Sequence, residues 1–140
     1  MIVREMHIDD YDAIYALWNA SLTSTRDISD SPEAIAQFLQ RNPGLSMVAV
    51  VDGKIVGSVL CGHDGRRGVL YHVAVDASQR RTGVARAMVE VCLNKLREEN
   101  IHKCGLTAFT NNTTGNAFWE SMGFRSRGDV YYWDCWLNEN

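Results

Sequence analysis

The stretch Gln79-Arg80-Arg81-Thr82-Gly83-Val84-Ala85-Arg86 concentrates residue types suited to an anion. Three arginines fall between positions 80 and 86, and no Asp or Glu occurs from Ser78 to Val89. A helix is predicted to begin near Thr82. Its first turn would present unpaired backbone N–H groups and the positive end of a dipole, which together suit a phosphate. An ordinary helix start favours acidic residues; this one avoids them. Gly83 and Ala85 lack bulk, so a pyrophosphate can approach the main chain closely. Upstream, His72 lies between Tyr71 and Val73 in a β-rich run. Its imidazole, with a reference pKa of about 6.5, could take a proton from an amine; otherwise it is hydrogen-bonded in the sheet or exposed on the other face. His7, His63 and His102 do not recur at ligand spacing, so no metal site is expected.

These residues need elements to hold them. Residues 2–6 read as a strand, and Asp9 or Asp10 caps a helix whose apolar face is Tyr11, Ile14, Leu17 and Trp18. Ser31-Pro32 starts a second helix with Ile35, Phe38 and Leu39 inward. Two β-rich runs flank Asp52-Gly53, a hairpin with a type I′ turn signal. The reversal Asp64–Gly68 leads to a strand at 69–76. A helix follows, with Ala85, Met88, Val89, Cys92, Leu93 and Leu96 on one stripe. A strand near 102–109, a helix near 112–122 and a closing antiparallel pair near 123–137 complete the chain. The fold class is α+β, with a mixed, mostly antiparallel twisted sheet of about six to seven strands flanked by about four helices. No linker or repeat divides residues 1–140, which read as a single domain.

Arg80-x-x-Gly83-x-Ala85, after a strand ending Val73-Ala74-Val75-Asp76, resembles motif A of the GNAT N-acetyltransferases. Asn112-Thr-Thr-Gly-Asn-Ala-Phe118-Trp119-Glu120-Ser-Met-Gly123-Phe124 is similar to that family's second signature, and the element order agrees over residues 2–137. The resemblance implies the acyl-coenzyme A N-acyltransferase fold and transfer of an acetyl group from acetyl-coenzyme A, as co-substrate, to a primary amine of a small molecule or of a protein lysine or N-terminus. It further implies that the backbone of Val73, Ala74 and Val75 pairs with the pantetheine arm, in a cleft where strands 69–76 and 102–109 part. Main-chain amides of Arg81, Thr82, Gly83, Val84, Ala85 and Arg86 would cradle the pyrophosphate, with an arginine such as Arg80 reaching a phosphate. Asn112 would hydrogen-bond the pantetheine side, and a backbone N–H near Val75 would polarise the thioester carbonyl.

The departure is Trp119, where the family usually has a tyrosine that protonates the leaving thiolate. An indole N–H donates a hydrogen bond but does not release its proton near neutrality. Either Trp119 packs against the pantetheine sulfur while the thiolate leaves unprotonated or takes a proton from water, or another hydroxyl serves, Tyr131 or Tyr132; Trp119 as core alone is the plainer alternative. His72 is the candidate base. A catalytically inactive acyl-coenzyme A sensor is the rival function, and Trp119 is its support.

The 140 residues carry a net charge of −3, with 46% hydrophobic and 22% charged residues. That balance gives no sign of a nucleic-acid or membrane partner. Cys61, Cys92, Cys104 and Cys135 have no CxxC spacing and suit small buried thiols in a reducing compartment. The N-terminus lacks an apolar signal core, so a cytoplasmic protein is expected. The aromatic run DVYYWDCWLNEN should contribute to the core, or else line an acceptor pocket or the contact of a homodimer.

Overall fold

The computed structural model describes residues 1–138, and the chain divides into two compact units, Met1–Leu106 and one beginning at Thr107. The first unit holds a five-stranded sheet in the order β1-β2-β3-β4-β5. Its strands are β1 Ile2–Glu5, β2 Met47–Val51, β3 Lys54–His63, β4 Gly68–Val75 and β5 Cys104–Gly105. The first four pair antiparallel, and β5 joins β4 in parallel. The helices of this unit are α1 Tyr11–Ser21, α2 Pro32–Arg41 and α3 Val84–Glu98.

Local chemistry accounts for most of these boundaries. Asp52 and Gly53 both take positive φ, 49° and 77°, as a type I′ hairpin between β2 and β3 demands. Ser31 caps α2 by accepting from the Ala34 N–H at 3.1 Å, with Pro32 in the first turn. Asp10 precedes α1, but its carboxylate does not cap that helix; it accepts a fork of two 2.9 Å hydrogen bonds from the Arg4 guanidinium.

β3 is buried from Val56 to Gly62, which requires cover on both faces of the sheet. Gly57 faces α3, where a Cβ would come within 2.9 Å of Met88 Cε and Val84 Cγ1. The next residue, Ser58, bonds Trp18 of α1. Successive strand residues point to opposite faces, so α1 and α3 lie on opposite sides of the sheet. Met6, Ile14, Trp18, Ile35, Val48 and Leu60 form the core under α1 and α2.

The sheet has five strands rather than six or seven, and two expectations are corrected. The strand anticipated at 102–109 reduces to Cys104–Gly105, because only Gly68 and Val69 of β4 pair with it. The closing pair at 123–137 is absent among the described residues. Alternation of aromatic residues there specifies a face, but a strand also needs a partner for its N–H and C=O groups. The second unit holds one helix, α4 Thr113–Ser121. Among the described residues no helix is long and apolar enough to cross a membrane.

Candidate active site

The centre of the site is an irregularity in β4. Ser58 opposes Ala74 and Leu60 opposes Tyr71, so Val59 alone faces His72 and Val73. That two-against-one count is a β-bulge. Its first residue, His72, has φ 49°, the left-handed region that a side chain enters at a cost of roughly 1–2 kcal/mol. On its other side β4 pairs with β5 only at Gly68 and Val69. From residue 70 to Val75 no strand pairs with that edge among the described residues. Two parallel neighbours therefore part after Val69, shortly before the bulge at His72 and Val73, with Ala74 and Val75 beyond it.

Both ends of His72 are held. Its Nε2 lies 2.6 Å from Asp30 Oδ1, and the Asp30 side chain is 8% exposed. Its carbonyl accepts from Ser58 Oγ at 3.4 Å, and Ser58 Oγ accepts from Trp18 Nε1 at 2.9 Å. The Trp18 ring packs edge-on to the imidazole with centroids 4.7 Å apart. Asp30 ends a one-turn 3-10 helix, Ile28–Asp30, just before α2. Its Oδ2 accepts from the Asp27 N–H at 3.1 Å, its carbonyl accepts from Tyr11 Oη at 2.5 Å, and Arg26 Nε stands 4.0 Å from Oδ2. A buried carboxylate needs such partners. Arg26 Nη2 donates to Ser24, whereas Nε and Nη1 are buried with no hydrogen-bond partner among the described residues.

The basic loop follows β4 directly. Asp76 accepts from the Ser78 N–H and Oγ at 2.9 and 2.6 Å, and these bonds hold its carboxyl below the usual range. Arg80, Arg81, Thr82, Gly83 and Arg86 are exposed, while the Val84 side chain is buried in the core. Val84 can thus contribute to a ligand only through its N–H. Gly83 is the N-cap of α3, with φ 86° and no side-chain cap, and α3 has no acidic residue in its first turn. A Cβ on Gly83 would meet nothing within 4 Å, so open space lies over the helix start. Arg81 is also left-handed, with φ 64°.

The second unit carries Asn112, Trp119 and Tyr131. Asn112 caps α4, its Oδ1 accepting from the Gly115 N–H at 3.1 Å. Trp119 is half-buried between Phe118 and Phe124, edge-on to each at 4.9 and 5.1 Å. Tyr131 is 86% exposed and edge-on to Trp133 at 6.3 Å, so it and the aromatic run around it do not enter a core. Sequence reasoning passed over Asp30, Ser58 and the polar end of Trp18. Asp30 lies 42 residues from His72, and its capping bond to Asp27 would explain it locally. No spacing could have paired it with the histidine.

Parted parallel strands, a bulge in β4 and an acid-free helix start are thus brought together within the first unit. The acetyltransferase (GNAT) family profile matches residues 11–124 of the chain. An acetyltransferase of Pectobacterium atrosepticum is 31% identical over 126 residues, which cover 90% of this chain and 89% of that protein. The structure of Ard1 from Thermoplasma volcanium superposes with a TM-score of 0.80 at 26% identity, covering 89% of this chain and 82% of that one. PaiA N-acetyltransferase from Thermoplasma acidophilum, solved with coenzyme A, gives a TM-score of 0.80 at 14% identity over 92% of each chain, a likeness of fold. The chain belongs to the GNAT family and is an acetyltransferase.

Proposed function

We propose that this enzyme transfers the acetyl group of acetyl-coenzyme A to the primary amine of a small molecule, or of a protein lysine or N-terminus, by direct attack, with residues 1–140 acting as one domain in the cytoplasm. The observation that carries the reading is the parting of β4 from β5 after Val69. An edge of open backbone groups suits an extended amide-bearing chain, which would pair with Val73, Ala74 and Val75 as an added strand. The open space over Gly83 suits a pyrophosphate held by the amides of residues 81–86, with Arg80, Arg81 and Arg86 at hand. PaiA N-acetyltransferase, which shares the fold, was solved with coenzyme A.

In this reading the amine nitrogen attacks the thioester carbonyl carbon. The C–N bond forms, the C–S bond breaks, and the coenzyme leaves as a thiolate. A backbone N–H near Val75 polarises the carbonyl oxygen. His72 takes the proton that the amine sheds. Thiols have a reference pKa of about 8.5, so a thiolate is a tolerable leaving group without an acid beside it. That accommodates Trp119, which would pack on the pantetheine sulfur; if a hydroxyl is needed, Tyr131 is the candidate. By the family resemblance Asn112 would bond the pantetheine.

Calorimetric titration with acetyl-coenzyme A, followed by thiol release with an amine panel, tests the reading. Saturable binding with turnover is expected, together with loss of binding in Gly83→Val while the circular dichroism stays close to wild type and the melt falls by a few degrees, since a β-branched residue is strained at φ 86°. Unimpaired binding by Gly83→Val would overturn the pyrophosphate placement, and no binding by the wild type would overturn the donor.

A further inference from the structure

The segment joining α1 to α2 reaches across to β4 and ends on the ring of the candidate base. We propose that Asp30 is a positioning residue that fixes His72 in the Nε2–H tautomer, so that Nδ1 is the atom that accepts the proton of the acceptor amine. This deepens the reading above and rests on His72 being the proton acceptor of that reaction.

The tautomer follows from donor bookkeeping. An ionised carboxylate only accepts, so the 2.6 Å contact between Nε2 and Asp30 Oδ1 requires the proton on Nε2. A neutral imidazole then has its lone pair on Nδ1, which meets no hydrogen-bond partner among the described residues. The His72 side chain is 22% exposed while that of Asp30 is 8% exposed, so the carboxylate sits on the inner side of the pair. When Nδ1 gains a proton the ring becomes a cation with Nε2–H still on Asp30, and the buried carboxylate stabilises it. The proton then passes to water or to the departing thiolate, which balances the reaction.

Other charges bear on the same ring. Arg26 Nε stands 4.0 Å from the second oxygen of Asp30. Tyr11 bonds the Asp30 carbonyl, and Glu33 and Tyr15 lie in the electrostatic neighbourhood of Tyr11. Trp18 and Ser58, which complete the surroundings, are neutral. Asp30 is thus the one carboxylate in hydrogen-bond contact with His72 among the described residues. Its own fixing is thorough: Asp27 N–H on Oδ2, Tyr11 Oη on the carbonyl, and the start of α2 immediately after it. A residue fixed through both its backbone and its carboxylate can orient a ring whose backbone is itself left-handed.

Nitrogen-detected NMR of histidine-labelled full-length protein, with His72→Ala to assign the signal, reads the tautomer directly. The expected wild-type signature is a pyridine-like Nδ1 and a protonated Nε2. In Asp30→Asn the protonation midpoint of the ring should move to lower pH. With an amine that the wild type acetylates, Asp30→Asn should lower kcat about 10- to 100-fold, less than the roughly 100- to 10,000-fold that a general base contributes, since the imidazole remains. It should also shift the acidic limb of kcat/KM to lower pH and leave the KM for acetyl-coenzyme A unchanged. Asp30→Glu, which keeps the charge, should hold that limb near its wild-type position. A protonated Nδ1 in the wild type, or an acidic limb unmoved in Asp30→Asn, overturns the proposal. Because the tautomer and its titration need no turnover, they decide the role of Asp30 even if no amine is acetylated, an outcome that would count against the function and not against the pairing. Should Asp30→Asn fail to fold, the wild-type tautomer alone remains decisive.

Discussion

Trp18 donates to Ser58 and Ser58 donates to the His72 carbonyl, so one buried hydroxyl links α1, β3 and the bulge of β4. Both Trp18 and Ser58 are 0% exposed, and water cannot replace a partner that either loses. Trp18→Phe should therefore lower the unfolding free energy by about 2–3 kcal/mol, combining a hydroxyl lone pair left without its donor with a small void. Urea titration of Trp18→Phe, Ser58→Ala and the double variant separates the two parts. The double variant should be less damaged than the sum of the singles, since that lone pair is gone. Strict additivity would show that the hydrogen bond contributes nothing. In the sequence, Trp18 was legible as an apolar residue at helical spacing. Its polar duty was not, because the hydroxyl that answers it lies 40 residues away. His72 stood out in the sequence as a candidate by residue type, but its left-handed backbone was not legible, since nothing in Tyr71-His72-Val73 signals a bulge.

The elements differ in how much of their placement is local. The β2–β3 hairpin, the start of α2 and the run of β4 were legible because Asp52-Gly53, Ser31-Pro32 and a β-rich run each carry their own conformational cause. The start of α3 was expected near Thr82 and falls at Val84, with Gly83 supplying the turn. By contrast, β5 and the closing pair depend on partners, and partners are a property of the tertiary fold. At 123–138 the chain instead shows local contacts, such as the Arg127 guanidinium forked on Asp129 at 2.9 and 3.0 Å. The α2 start also bears on the site, since Asp30 is the residue before its cap. Ser31→Ala removes the acceptor of the Ala34 N–H and should cost about 1 kcal/mol. If the cap also steadies Asp30, thermal melts and steady-state kinetics of this variant will show a modest loss of stability beside a lowered kcat. Unchanged kinetics at the lower melting temperature would confine the cap to stability.

Among the described residues, four carboxylates sit below their usual range. Asp10 is lowered chiefly by its hydrogen bonds from Arg4, Asp64 by the Arg67 and Arg66 backbone N–H groups, Asp76 by Ser78 and Asp129 by Arg127. A depressed folded pKa contributes stability above the unfolded value, about 3.9 for Asp, and that stability is lost as pH falls through the folded value. Asp64 and Asp129 are exposed and screened, and Asp76 is half-buried; Asp10, with its side chain 11% exposed, carries most of the effect. Asp10→Asn should lose about 1 kcal/mol at neutral pH, allowing for the partly exposed Arg4. The difference from wild type in chemical denaturation should narrow as pH falls below about 3.9 and close once pH is below the lowered folded value. A difference constant with pH would assign the effect to shape and not to charge. The left-handed turn at His72 has a consequence on a longer timescale. Glycine, asparagine and aspartate enter that region most readily, and none carries an imidazole to meet the Asp30 carboxylate. A mutation to glycine there would relax the backbone and remove the imidazole in one step. The roughly 1–2 kcal/mol regained from the turn is less than the cost of leaving a buried carboxylate short of a partner, so the fold itself holds a histidine in place.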